Sequence, residues 1–157
     1  MITTHKAYYK SPIGLIKIIG NEAGLISLDF IDDESVDNFD TQPCLQECVK
    51  QIDEYFNKKR TEFFVKLQLR GTEFQKKVWQ QLLKIPYGDT LSYQDIAGLI
   101  GNKKATRAVG NANRRNKIAI IIPCHRVIGS NGKLTGYAGG LWRKERLLKH
   151  EQEAVNL

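Results

Sequence analysis

The sequence predicts an α/β fold in two parts, a small sheet-bearing domain over residues 1–70 followed by a mostly helical domain over 71–157. Three observations organise it. β-favouring residues crowd the first 30 positions, helical periodicity dominates after Thr72, and charge divides unevenly along the chain. Up to Gly98 there are 12 Lys/Arg against 14 Asp/Glu; from Leu99 onward there are 12 against 3, a net of +9 within an overall +7. A basic half of that strength points to an anionic partner, and nucleic acid is the usual one.

Ala7 to Phe30 predicts two or three strands, turning at Ser11-Pro12 and between Asn21 and Gly24. Asp32 to Gln42 is acidic and irregular, hence a loop. Leu45, Cys48, Val49, Ile52, Tyr55 and Phe56 recur at helical spacing, which puts Cys44 at a helix start and Cys48 in a core. The four-residue cysteine spacing has no second pair of ligands beside it, so no metal site is expected. Strict alternation from Phe63 to Leu69 predicts a half-buried strand.

Thr72 can cap a helix whose apolar stripe is Phe74, Val78, Leu82 and Leu83, with Trp79 beside it. That helix ends before Pro86, and Pro86 to Asp89 is a turn. Ser92 caps the next helix, Tyr93 to Ile100, with Asp95 at the capping-box position. Gly101-Asn102 breaks it, and a third helix runs from about Ala105 to Asn113. The pair is a helix-turn-helix candidate. Its second helix is thin at Ala105, Ala108, Gly110 and Ala112 and ringed by Lys103, Lys104, Arg107, Arg114 and Arg115. A thin helix could press into a minor groove only about 6 Å wide. The same periodicity equally allows Ala105, Val109 and Ala112 to pack on a core.

Ile118 to Ile122 is an apolar run that suits a buried strand, ended by Pro123. Cys124 follows at once, beside His125 and Arg126, whose positive character would favour the nucleophilic thiolate. A cysteine among hydrophobes is also compatible with plain packing. Ser130-Asn131-Gly132 is a turn. Thr135 to Gly140 is a glycine-rich loop around Tyr137, suited to close approach of a ligand, and it lacks the Lys-Ser/Thr of a phosphate loop. Arg143 to Glu151 is a final helix with Leu147 and Leu148 inward and Lys144, Lys149 and Glu151 available.

Hydrophobic content of 41% and charged content of 26% are those of a globular protein. No apolar run is long enough for a membrane span, and no leading signal peptide is expected. Three cysteines, an odd number, argue for a reducing, cytoplasmic setting, or the nucleus of a eukaryote. A helix-turn-helix regulator would explain the charge but neither Cys124-His125 nor the Gly-Tyr-Ala-Gly-Gly loop. A cysteine hydrolase would need an oxyanion hole that nothing marks.

Taken together, Gly71-Thr72-Glu73-Phe74-Gln75, Val78-Trp79, Ile85-Pro86-Tyr87-Gly88, Ser92-Tyr93, Arg107-Ala108-Val109-Gly110, Asn116, Ile122-Pro123-Cys124-His125-Arg126-Val127, Gly136-Tyr137 and Arg143-Lys144 with Glu151 make the chain resemble the methylated-DNA–protein-cysteine methyltransferases, which repair O6-alkylguanine in DNA. The resemblance implies a ribonuclease-H-like sheet in the first domain and a winged helix-turn-helix in the second. It implies Cys124 as alkyl acceptor, His125 as base through a water, Glu151 orienting the imidazole, Asn116 holding the turn before the cysteine, and Tyr93 bonding the flipped guanine. The Val127 carbonyl would read the exocyclic amine, and Tyr137 and the Ala138 N–H would line the pocket. Arg107 would fill the stack, and Ala105, Ala108, Gly110, Ala112, Arg114, Thr72 and Tyr93 would meet DNA. The implied partner is duplex DNA carrying O6-alkylguanine, acted on by a monomer, with neither cofactor nor metal. Non-enzymatic lesion-binding relatives replace the cysteine that is present here. Lys117 stands where many members have proline, and Asn113 occupies a pocket-facing position where larger apolar residues also occur.

Overall fold

The computed structural model describes residues 3–155 of the chain. The chain divides into two compact units, Met1–Leu69 and Arg70–Leu157; residues 1–2 and 156–157 of the expected domains lie outside the described residues. No helix among the described residues is long and apolar enough to cross a membrane.

The first unit is an antiparallel meander, β1 (His5–Ser11), β2 (Gly14–Asn21) and β3 (Gly24–Ile31), with helix α1 (Pro43–Phe56) packed on β1 and β2. Period-two alternation sends Ile16 and Ile18 of β2 into the core, while Lys17 pairs across the sheet with Asp29 of β3. Leu45, Cys48, Ile52 and Tyr55 supply the facing stripe of α1, and burial pushes the Cys48 thiol up to about 12. The segment expected as a strand over Phe63–Leu69 is extended but forms only one parallel bridge, Leu67 to Leu25. Side chains take up other backbone groups around it. Gln51 Oε1 accepts from the Phe64 N–H at 2.9 Å, and Gln68 Nε2 donates to the Gly24 carbonyl at 2.8 Å. Close approach explains the glycine, since a Cβ at Gly24 would lie 2.9 Å from the Lys66 carbonyl oxygen.

The second unit is helical: α2 (Glu73–Leu82), α3 (Tyr93–Leu99), α4 (Thr106–Arg114) and α5 (Leu141–Val155), with two short strands, β4 (Leu91–Ser92) and β5 (Val127–Ile128), paired in parallel. Both expected caps are complete capping boxes, Thr72 with Gln75 and Ser92 with Asp95. Gly101, at φ +79°, makes the turn after α3, and a 3-10 turn at Lys103–Ala105 leads into α4. Trp79 is 2% exposed, and its indole N–H donates to the Ala112 carbonyl at 2.9 Å, tying α2 to α4.

The apolar run Ile118–Ile122 corrects an expectation. It is a tight turn, not a strand: Ile121 N–H donates to the Ala119 carbonyl at 2.8 Å, and Ile122 N–H to that of Ile118 at 3.1 Å. Ile120 sits at φ +70°, a conformation a β-branched residue adopts at a cost of about 1–3 kcal/mol. Hydrophobicity alone cannot distinguish a buried turn from a buried strand.

Candidate active site

Asn116 holds that strained turn closed. Its Nδ2 donates to the Ile118 and Ile122 carbonyls at 3.1 and 2.8 Å, and its Oδ1 accepts from the Ile118 N–H at 3.1 Å. Buried amides with three bonds are rigid supports. The turn delivers Cys124 to the start of a 3-10 turn, Cys124–Arg126, which runs directly into β5. Cys124 is 6% exposed and His125 fully buried.

Glu151 of α5 is the electrostatic centre. Its Oε2 meets His125 Nε2 at 2.6 Å, and Arg126 donates to both oxygens, from Nε at 2.8 Å and Nη2 at 3.1 Å. The Gly88 N–H adds a fourth donor at 3.1 Å. Burial alone would raise the Glu151 carboxyl; His125 and Arg126 overcome it and hold the group well below the carboxylate range. Burial pushes His125 the other way for a base, below the ordinary imidazole value, so the ring is neutral. A neutral ring donating Nε2–H to the carboxylate carries its lone pair on Nδ1. That buried nitrogen has no hydrogen-bond partner among the described residues.

Two findings about charge go beyond the sequence. The fork of Arg126 is taken by Glu151 and by the Ile85 carbonyl, 2.6 Å from Nη1. A cation that interacts electrostatically with Cys124 is Lys144, which the sequence leaves available and the fold encloses at 0% exposure. Burial lowers the Lys144 ammonium to about 8, and the nearby Cys124 partly opposes that shift. Lys144 Nζ donates to the Thr135 carbonyl at 2.7 Å and to the Tyr93 hydroxyl at 3.3 Å, and Tyr93 itself donates to Thr135 at 2.8 Å. Sequence periodicity did hold a signal for it. Lys144, Leu147, Leu148 and Glu151 share one face of α5 at the i, i+3, i+4, i+7 spacing.

Val127 is buried on β5 opposite Leu91, Tyr137 is half-buried, and Ala138 is exposed in the 135–140 loop. At Gly136, φ +54°, an added Cβ would stand 3.1 Å from Arg114 Cδ and 3.7 Å from the Tyr93 hydroxyl, so the loop passes close to both. On α4, Arg107, Ala108 and Arg114 are exposed, and Gly110 is half-buried. Ala105 and Ala112 are not on that outer face: they turn inward with Val109, as a 3.6-residue period requires of residues three to four apart. Thr72 is exposed at the cap of α2. No group of three or more His, Cys, Asp or Glu side chains among the described residues could hold a metal.

Two family models match the chain: the 6-O-methylguanine DNA methyltransferase ribonuclease-like domain over residues 4–69 and its DNA-binding domain over residues 73–153. A methylated-DNA–protein-cysteine methyltransferase of Methanosarcina barkeri is 52% identical over 148 residues, covering 91% of this chain and 94% of its own. One of Mycobacterium leprae is 49% identical over 149 residues, covering 92% and 90%. Among solved structures, Mycobacterium tuberculosis OGT in complex with DNA is similar with a TM-score of 0.87 and 48% identity, over 96% of this chain and 94% of that one.

Proposed function

Because this chain belongs to the O6-methylguanine DNA methyltransferase family, we propose that it repairs O6-alkylguanine in duplex DNA by moving the alkyl group onto Cys124, once per molecule. The observation that carries the residue assignment is the single hydrogen bond that His125 makes. Glu151 fixes Nε2 at 2.6 Å, leaving the buried Nδ1 as the base for the adjacent thiol.

The proton of the Cys124 thiol passes through one water to His125 Nδ1. The imidazolium that forms is stabilised by the ionised Glu151. Sγ attacks the alkyl carbon as the S–C bond forms and the C–O6 bond breaks. The bonding pair stays with guanine, which takes a proton from the side of the pocket where Tyr93 and Lys144 meet. With a value of about 8, Lys144 is a competent donor near neutrality. The base must leave the stack to reach this buried thiol, at a cost of a few kcal/mol. Exposed Arg107 on α4 is the side chain proposed to fill the gap, because a planar, weakly hydrated guanidinium recovers stacking. The protein acts as a monomer, in the cytoplasm or wherever the cell keeps its DNA under reducing conditions.

Incubation with excess duplex containing one O6-methylguanine tests this. We expect a burst that stops at one methyl per chain, with the methylated tryptic peptide containing Cys124. A thioether is a poor leaving group, so added cofactors do not restart the reaction. Turnover beyond one equivalent with Cys124 unmodified overturns the assignment.

Arg107→Ala separates flipping from chemistry. Repair of duplex should slow by roughly 10–100-fold, in keeping with a flipping cost of a few kcal/mol, while alkyl transfer from the free base O6-benzylguanine stays within about twofold of wild type. Equal slowing on both substrates removes Arg107 from the stack-filling role.

A further inference from the structure

Resting on the alkyltransferase reading above, we propose that Arg143 is a positioning residue for alkyl transfer. Its guanidinium anchors the Gly139 carbonyl and, through two planar peptides, aims the Ala138 N–H at the oxygen that leaves when the C–O6 bond breaks.

Arg143 and Lys144 stand in the first turn of α5, a turn with no acidic residue. The helix dipole disfavours cations at that end, and burial adds a desolvation cost. Both side chains are nonetheless buried, Arg143 at 8% exposure. Their bonds account for the placement. Lys144 Nζ donates to the Thr135 carbonyl, and Arg143 Nη1 donates to the Gly139 carbonyl at 3.0 Å. Two neighbouring cations thus hold the two ends of one glycine-rich loop. The guanidinium lies over the Trp142 ring, with Cζ 4.5 Å from the ring centroid. That indole packs in turn on Gly140, where an added Cβ would lie 3.2 Å from Trp142 Cδ1.

The Gly139 carbonyl shares a peptide with the Gly140 N–H. That N–H donates to the Tyr137 carbonyl at 3.0 Å and closes a four-residue turn. The Tyr137 carbonyl shares the next peptide with the Ala138 N–H, the group assigned above to the pocket lining. A peptide is planar and trans, so fixing its carbonyl fixes the direction of the N–H opposite. A guanidinium, two peptides and the Ala138 N–H therefore form one directed row, in which each bond polarises the next. Among the described residues the Ala138 N–H has no backbone partner, and Ala138 is exposed. As the C–O6 bond breaks, negative charge gathers on O6, and a donor held in place beforehand stabilises it without reorganisation. The loop backbone cannot supply this rigidity itself. Gly136 and Gly140 sit at φ +54° and +96°, and glycine leaves the chain its widest conformational freedom.

Two variants of the full-length protein test this. Arg143→Met keeps the stem and removes every donor, and Arg143→Lys restores one. Amide exchange followed by mass spectrometry reads the loop without any reaction. In Arg143→Met, peptides spanning 135–140 should exchange about tenfold faster, as expected of a local opening, while those of α2 and α4 match the wild type. Single-turnover transfer from a duplex with one O6-methylguanine reads the chemistry. At saturating duplex the maximal rate should fall by about 10–100-fold, the scale of a misplacement of roughly 1 Å. The half-saturating duplex concentration should stay unchanged, and Arg143→Lys should recover part of the rate. If Arg143→Met does not fold, Trp142→Ala, at an exposed position, serves both measurements with a smaller effect. Unchanged exchange in the loop, or faster exchange with an unchanged maximal rate, overturns the proposal. So does exchange that rises throughout the second unit, which marks a merely structural role. Wild-type protein inert on the duplex is a separate result, which sinks the alkyltransferase reading itself.

Discussion

Cys124→Ser abolishes alkyl transfer while duplex binding keeps the wild-type affinity. The two substitution effects separate because the residues do. The thiol sits on the 3-10 turn that precedes β5, whereas the exposed Arg107, Ala108 and Arg114 lie on α4. Serine nearly reproduces the shape of cysteine, so Asn116, Asn113 and the strained turn keep their bonds. What is lost is the thiolate. A thiol ionises within reach of a neutral imidazole, but an alcohol does not, and His125 is held neutral by burial. A serine therefore presents a protonated, weak nucleophile to an alkyl carbon. Transfer should fall to the background rate, and electrophoretic titration with lesion-bearing duplex should give an unchanged midpoint. Residual repair near the wild-type rate, or methyl found on Cys44 or Cys48, ends the assignment of Cys124.

Glu151→Gln damages chemistry and stability together. The carboxylate serves four donors, from His125, from Arg126 twice, and from the Gly88 N–H. Glutamine keeps the volume but removes the charge, and Arg126, 6% exposed, is left without its counter-ion. Breaking a buried pair by removing one partner typically costs about 3–5 kcal/mol. For a chain of this size that lowers Tm by roughly 6–20 °C. The transfer rate should fall on the order of 100-fold or more, because the imidazolium formed on His125 loses its stabilising anion.

The pH dependence carries a definite sign. The Glu151 carboxyl lies well below its ordinary value in the folded protein, so its contribution is fully present above the ordinary carboxylate pKa of 4.5 and is lost as pH falls through the lower, folded value. The gap in Tm between wild type and Glu151→Gln should therefore be widest near neutrality and narrow below pH 4.5. A gap that stays constant into acid would show that the loss is one of packing and not of charge.

Elements governed by local rules were legible in the sequence. The hairpins follow from alternation around glycine-containing turns, and α2 and α3 follow from Thr72 and Ser92, whose side chains satisfy amide donors three residues away. The Cys124-His125 pair was legible as a candidate because the two are adjacent in the chain. The partnership of His125 with Glu151, 26 residues later, came only from resemblance to a family, since no local pattern encodes a contact at that separation.

What tertiary structure alone decided is where each side chain's free energy is balanced. Ile118–Ile122 reads as a strand because apolar residues favour burial in either conformation, yet the Asn116 side chain supplies bonds that close the run into a turn. The alternating Phe63–Leu69 segment stays outside a full ladder because the Gln51 side chain takes up the Phe64 backbone and the Gln68 side chain takes up the Gly24 carbonyl of β3. Arg126 is turned to Glu151, and Lys144 is enclosed near the thiol. A sequence states that a cation is present, but the direction in which a long side chain is folded, and the partner that compensates its burial, depend on elements brought together from across the second unit.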